Sequence, residues 1–392
     1  MKILHICLSS HYTEGMTYQD NMLVEHNVND GHQVLCISDC NKFKNGIIVS
    51  TLPENIILKS GARLIRPKFM YNINSSKLIG VILITIRQLR AYTELKKNID
   101  NYMPDVILCH HPHTFTILNM IHYKKRHNSV KIYYDYHVDS NNTYHFNNML
   151  DSALFLRDII YRNILRLSYP HINKLFYIWG GSREYIIKKY HTPKNMIEFY
   201  PLGGAIPSKK NYVRYRAERR EELDIKENDI LLLHTGKLDS KKRTREIISA
   251  FLSVPNNRLR LVIIGSITDD MKPILEPLIE SDKRIQYLGW KSGKELMEYL
   301  CAGDLYIQLG GASATMQNAL CCGCPVLLNP LEGYYNDFMK GNGKFVNNSD
   351  ELINALNEIL ENRSLLKSMK DNTWKIATEI LDYNKLAARL YI

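Results

Sequence analysis

Residues Gly303 to Leu328 read GDLYIQLGGASATMQNALCCGCPVLL, and the punctuation inside that stretch sets an architecture. Asp304 to Leu309 is a short, mostly apolar run of strand type, and Gly310 and Gly311 follow as breakers that let backbone come close to a ligand. Ser313 is suited to an N-cap, so the spacing predicts a helix over Ala314 to Cys322, stopped by Gly323 and Pro325. Val326 to Leu328 returns as a second buried strand. Strand, glycine turn, helix and strand make the parallel βαβ unit, whose helix N-terminus stands above the carboxyl end of the sheet and offers N–H groups to an anion. Glycines kept for packing alone are the plainer reading; a nucleotide diphosphate is the anion expected.

The same grammar extends in both directions. KILHIC (2–7) is a first buried strand, followed by a loop carrying Gly15, a helix to about Asn29 capped by Thr17 or Asp20, and a second strand in GHQVLCIS. Without a G-x-G-x-x-G pattern, that loop alone is weak evidence for a ligand site. PDVILC (104–109) ends in His110, His111 and His113, and VKIYY (130–134) ends in Asp135, His137 and Asp139, which puts titratable residues where open α/β sheets bind ligands. A histidine metal site is the sharper alternative there, but H-H-P-H on a loop is not a ligand pair on one helix face, and no metal is expected. Ala205 to Glu222 is polar and strongly basic, which makes it the best boundary between two halves. Beyond it DILLLHTGKL leads a strand into Gly236, Lys237, Lys241, Lys242 and Arg243, with a helix over Lys241 to Leu252. Cations at that strand end, beside the helix start at Ala314 and Thr315, would bracket a diphosphate from two sides.

The bulk numbers agree with two soluble α/β domains. The chain has 392 residues, 45% of them hydrophobic and 23% charged. A net charge of +11 points to an anionic partner. Nucleic acid is not expected, because no recognised binding module accompanies the charge. The start lacks the pattern of a signal peptide, and the longest apolar run, Leu78 to Ile86, is too short to span a bilayer. Eight cysteines in no zinc or disulfide spacing read as reduced, buried residues of a cytoplasmic protein. Between Lys59 and Lys97 nine basic residues stand against one acid, Glu94, and are interleaved with LIGVILITI. That composition suits either a core helix with a solvated face or an amphipathic segment lying on an anionic membrane surface at the inner face of the cell membrane. Arg157, Arg162, Arg166 and Lys174 repeat the pattern more weakly.

GKLDSKKRTREIISAF, RLVIIGS, IQYLGW, GKELMEYLCAGDLYIQ and ALCCGCPVL occur in an order and spacing that resembles the donor-binding domain of retaining GT-B glycosyltransferases of the family-four type, and HYTEGMTYQDNMLVEHNVNDGHQVLCIS is similar to the opening of members from surface-polysaccharide clusters. The resemblance implies two Rossmann-like, doubly wound α/β domains facing across a cleft: an acceptor-binding domain over residues 1–205, a donor-binding domain over 206–371, and a C-terminal helix over 372–392 crossing back to the first. It implies transfer from a UDP- or GDP-linked sugar to a glycan or lipid-linked acceptor, with retention and with the nucleotide sugar as substrate rather than any cofactor. Position by position, Lys237 and Lys242 would contact the donor diphosphate and Gly15 would approach the same phosphates. Gly236, Gly311, Ala314 and Thr315 would line the phosphate site, and His137 would lie near the transferred sugar and the acceptor.

The departure is in the opening stretch. The family carries two glutamates eight residues apart, one on the sugar and one on the ribose; here those positions are Gly310 and Asn318. Asn318 can still hydrogen-bond ribose hydroxyls, whereas Gly310 can reach sugar only through backbone, at a loss of roughly 1.5 to 3 kcal/mol. Gln308 is a candidate to take over. A GT-B sugar-nucleotide epimerase and a non-catalytic nucleotide- or carbohydrate-binding paralogue are the competing expectations.

Overall fold

Both halves build parallel sheets because their apolar runs are too continuous to leave either sheet face to water. The computed structural model describes residues 1–8, 12–16, 18–44, 47–50, 54–67, 92–138, 150–311 and 313–392. Thr17, Asp139 and most of the basic segment between Lys59 and Lys97, including LIGVILITI, lie outside the described residues. The chain divides into two compact units, Met1–Pro201 with Leu386–Ile392, and Leu202–Lys385. Among the described residues no helix is long and apolar enough to cross a membrane.

The N-terminal unit holds β1 (Lys2–Cys7), α1 (Gln19–Asn29), β2 (Gln33–Ser38), the antiparallel pair β3 (Asn41–Lys44) and β4 (Ile47–Ser50), β5 (Glu54–Ile57) and β6 (Arg63–Arg66). A helix over residues 92–102, α2, follows. Then come β7 (Val106–His110), α3 (Thr114–Arg126), β8 (Lys131–Tyr136), α4 (Leu150–Ser168), β9 (Lys174–Tyr177), α5 (Gly180–Tyr190) and β10 (Ile197–Phe199). Its sheet runs β10-β9-β8-β7-β1-β2-β6-β5, parallel apart from the edge strand β5. Strand β1 is central, with Ile3 opposite both Val34 of β2 and Val106 of β7. Side chains from one face of the sheet, among them Leu4, Ile6, Ile107, Ile132 and Leu175, pack with Ile117, Met120 and Ile186 of the helices into one core. The N-cap of α1 is Tyr18 with no side-chain cap bond, and Asp20 sits inside the first turn, where its carboxylate accepts from the Asn21 amide, so the expected Asp20 cap is corrected.

The C-terminal unit opens with α6 (Lys209–Glu222), capped by Ser208. Most of the basic stretch expected as a boundary is therefore helical, and three of its six basic residues are paired: Arg216 and Arg220 clamp Asp304, while Arg219 meets Glu298 and Glu222. Burial alone would push the Asp304 carboxyl up, but the two guanidiniums hold it below the usual carboxylate range. Next are β11 (Ile230–Thr235), α7 (Thr244–Leu252), β12 (Leu259–Ile264), α8 (Lys272–Glu280), β13 (Ile285–Tyr287), α9 (Gly293–Ala302), β14 (Leu305–Gln308), α10 (Ala314–Cys321), β15 (Val326–Leu328), β16 (Gly343–Phe345), α11 (Ser349–Glu361), α12 (Arg363–Ile376) and α13 (Tyr383–Ala388). The sheet order is β13-β12-β11-β14-β15-β16, parallel throughout. The helix expected from Lys241 begins later: Ser240–Lys242 is a 3-10 turn and Arg243 is left-handed at φ 55°, so the basic residues stay in a loop.

The last residues belong to the N-terminal unit. Tyr200 donates to the Leu386 carbonyl at 2.6 Å, Arg389 to the Phe199 carbonyl at 2.6 Å, and Lys131 to the Ile392 carbonyl at 2.9 Å. All eight cysteines are buried, and none forms a disulfide.

Candidate functional site

In the C-terminal unit the site is a floor of close backbone at the carboxyl ends of β11 to β14. Gly236 follows β11 at φ 132° and donates to the Ile264 carbonyl at 3.0 Å; Gly265 follows β12 at φ 143° and donates to the Gly289 carbonyl at 2.9 Å. A Cβ on Gly265 would run into the Gly236 peptide, its carbonyl carbon at 2.8 Å and the oxygen nearer still. These glycines let neighbouring strand ends touch where side chains would hold them apart.

Lys242 lies over this floor. A Cβ on Gly236 would sit 3.1 Å from its Cε and 3.3 Å from its Nζ. The side chain is half-buried, and burial pushes the ammonium below the usual lysine range although Asp239 opposes this. Among the described residues Lys242 makes no ion pair. Lys237 and Lys241 are exposed on the same loop. Arg243, expected with them, is taken instead by Glu246, with Nε 2.9 Å from Oε1, and by the Leu309 carbonyl at 3.4 Å. It clamps the start of α7 to the end of β14.

The residue beneath this loop is Gly310. A Cβ there would come to 2.6 Å from Lys242 Cα and 2.9 Å from its carbonyl carbon, with the Lys241 carbonyl oxygen closer. The place of the family glutamate is thus filled by the backbone of the basic loop. Gln308 cannot replace it either, contrary to expectation: its side chain is fully buried, Nε2 donates to the Gly311 carbonyl at 3.0 Å and to Tyr335 Oη at 2.6 Å, and Oε1 accepts from Tyr306 Oη at 3.2 Å. It supports the turn from behind. Gly311 is exposed, with open space where a Cβ would go.

Ser313 caps α10 as expected, accepting the Thr315 amide at 3.3 Å. That bond occupies the Thr315 N–H, and the Thr315 hydroxyl accepts from Ser313 Oγ at 3.2 Å, which leaves the Ala314 amide at the helix start. Asn318, a turn further on and half-buried, has its Oδ1 3.1 Å from where a Gly204 Cβ would be. Sequence reasoning missed His234, the fifth residue of β11. Fully buried, it donates from Nδ1 to the Ile307 carbonyl at 2.9 Å and accepts from Thr244 Oγ1 at 2.9 Å, and burial lowers its pKa to about 4. A histidine inside an otherwise apolar strand was the signal.

In the N-terminal unit the carboxyl ends of β7 and β8 bring together His110, Asp135 and His137, whose nearest ligand-type atoms lie within 4.8 Å of one another. Asp135 is fully buried; Oδ2 is 2.8 Å from His110 Nδ1 and 3.4 Å from His137 Nε2, and Oδ1 accepts the His111 amide at 3.2 Å. His110 Nε2 meets His5 Nδ1 at 3.2 Å, and His5 Nε2 meets Asn27 Oδ1 at 2.8 Å. Protons follow from this chain. Burial lowers the His5 pKa to about 3, so its one proton is on Nε2 facing the Asn27 oxygen, and its Nδ1 accepts. His110 therefore donates from Nε2 to His5, and its Nδ1 lies against Asp135 Oδ2: desolvation works against a charged ring, but Asp135 outweighs it and raises the pKa. Asp135, which burial would neutralise, is held ionised by His110 and His137, well below the usual carboxylate range. Three residues that could hold a metal are in this way already joined as an ion pair with both His110 nitrogens engaged. Burial also lowers the neighbouring His111 to about 4. His137 is 41% exposed. Gly15 lies in an exposed turn at φ 82°, with open space where a Cβ would go.

Two largely parallel α/β units, the second with glycine-lined strand ends, fit a GT-B fold, and comparison with known proteins agrees. The chain superposes on sucrose-phosphate synthase from Thermosynechococcus elongatus with a TM-score of 0.65 at 15% identity, covering 99% of this chain and 97% of that one. It superposes on Anabaena HepE in complex with UDP with a TM-score of 0.64 at 15% identity, over 99% and 98% of the two chains. The glycosyltransferase WaaG, involved in lipopolysaccharide biosynthesis, gives 0.61 at 16% identity over 99% of each. At such identities the likeness is one of fold. Residues 216–375 match the family described as glycosyl transferases group 1, so the C-terminal unit carries the domain of the family-four GT-B glycosyltransferases. An uncharacterized glycosyltransferase from Methanocaldococcus jannaschii is 24% identical over 242 residues, 56% of this chain and 60% of that protein's length.

Proposed function

We propose that this protein transfers a sugar from a nucleotide diphosphate donor to a hydroxyl acceptor. The observation that carries the reading is Lys242, a half-buried cation without an ion-pair partner among the described residues, laid over the glycine floor of a glycosyl transferases group 1 domain. A desolvated ammonium is costly until an anion arrives, so the site favours a diphosphate, and most of all one gaining charge as it leaves. Lys242 and exposed Lys237 would neutralise the leaving diphosphate, with the Ala314 amide at the start of α10 adding a donor. No resident metal is part of this reading, and turnover is expected to survive a chelator. The HepE structure with UDP supports a UDP-linked donor.

On the N-terminal unit, His137 is assigned to the acceptor side. Retention follows from the family resemblance: the leaving phosphate oxygen would take the acceptor proton on the same face. The acceptor is assigned to a cell-surface glycan or its lipid-linked precursor, and attachment to an anionic membrane surface to the basic segment before Lys97. The blocked position at Gly310 favours one second reading, a nucleotide binder without transfer. Incubation with a panel of nucleotide sugars separates them: transfer releases nucleoside diphosphate, and a binder raises the melting temperature with UDP while releasing none.

A further inference from the structure

The geometry points to Asp135 as a positioning residue that fixes the tautomer of His137, so that Nε2–H faces the buried carboxylate and the unprotonated Nδ1 is presented to a substrate hydroxyl as a hydrogen-bond acceptor. This rests on the reading of His137 as an acceptor-side group.

Three observations support it. First, Asp135 is a fully buried, ionised carboxylate fixed in place: Oδ1 accepts the His111 amide at 3.2 Å, and Oδ2 lies 2.8 Å from His110 Nδ1 in an ion pair. Second, the chain from Asn27 through His5 leaves His110 Nε2 as the donor to His5, and Asp135 raises the His110 pKa, so charge of both signs is favoured at the floor of the N-terminal unit. A simple structural ion pair would end there. Third, the pair does not end there: His137 Nε2 reaches the same Oδ2 at 3.4 Å while its ring is 41% exposed. A carboxylate is only an acceptor, so it selects the protonated Nε2. Among the described residues, Asp135 and His110 at the strand ends and His111 in the loop after β7 lie by His137. Of these Asp135 is the only anion, and it fixes the sense of the ring. An open contact of 3.4 Å is the length expected before a substrate tightens it.

The test combines tautomer and kinetics. Long-range 15N–1H correlation spectra of the whole chain should show His137 protonated at Nε2. In Asp135→Asn, the carboxamide can donate, and the ring should change to the Nδ1–H form, as amide replacements of orienting carboxylates do. With the nucleotide sugar that the chain turns over, Asp135→Asn should lower kcat by about 100-fold or more while the Kd for UDP stays within about twofold. His137→Ala should lose a similar factor, and the double variant should be no worse than His137→Ala alone, since residues acting as a unit are not additive. An Nδ1–H His137 in the unaltered chain overturns the assignment, whether or not Asp135→Asn folds. A double variant whose losses multiply overturns it too. If no nucleotide sugar is turned over at all, the functional reading fails, and the tautomer still decides the role of Asp135.

Discussion

Restoring the family glutamate at residue 310 should damage this protein rather than improve it. Gly310 is not among the glycines with positive φ, so its backbone would accept an alanine; the obstacle is space. A Cβ would meet Lys242 Cα at 2.6 Å, and opening that to an ordinary carbon contact of about 3.5 Å moves the basic loop by about 1 Å. The loop cannot give freely, because Arg243 ties its far end to Glu246 and the Leu309 carbonyl. Overpacking of this kind costs about 1–3 kcal/mol, or roughly 2–12 °C in melting temperature for a unit of this size. A shift of about 1 Å at a group that must meet a diphosphate costs about 100-fold in turnover. Gly310→Ala and Gly310→Glu should therefore both melt lower and lose nucleoside diphosphate release, read by scanning calorimetry and a coupled assay. A Gly310→Glu variant with unchanged melting temperature and higher turnover would be incompatible with a position filled by the basic loop.

Two further outcomes follow from the same unit. Gly236→Ala places a methyl 3.3 Å from Lys242 Nζ at a strained φ of 132°. Loss of one hydrogen bond to a charged group, about 1.5–3 kcal/mol, should weaken UDP binding by calorimetry roughly 10- to 150-fold; unchanged affinity would count against the placement of the ammonium. His234, neutral in the fold with a pKa of about 4 against an ordinary 6.5, leaves the unfolded chain binding the extra proton between those values. Stability of the C-terminal unit should thus fall as pH drops through that window, by roughly 2 kcal/mol between about pH 6.5 and 5. Hydrogen exchange of β11 amides reads this, and His234→Gln should remove that share of the slope. A slope unchanged by the substitution would show that His234 does not titrate in this way.

The parts legible in the sequence were those with local causes. The strands, the Ser313 cap, the glycine turn and the buried cysteines follow from periodicity and punctuation, which neighbours in the chain decide. Roles set by distant partners were not legible. Arg243 looks like Lys242 in the sequence, and only the position of Glu246 one helical turn away and of Leu309 at the end of β14 makes one a clamp, while the other has no ion pair among the described residues. Gln308 looked available because nothing local shows Tyr306 and Tyr335 closing on it. Gly310 read as a missing carboxylate, whereas in the fold it is the space that the basic loop occupies. The ion pair of His110 and Asp135 joins two strands, with His5 of a third strand and Asn27 of α1 completing it, so its charge state could be derived only once the four were side by side.

The most direct measurement is nucleoside diphosphate release by the chain from a panel of UDP- and GDP-linked sugars, run in parallel with Lys242→Ala. The expected result is release from at least one donor, reduced by orders of magnitude in Lys242→Ala with its circular dichroism and melting temperature preserved. Release from none of the donors, or equal release by a folded Lys242→Ala, would contradict the assignment of this site to sugar transfer.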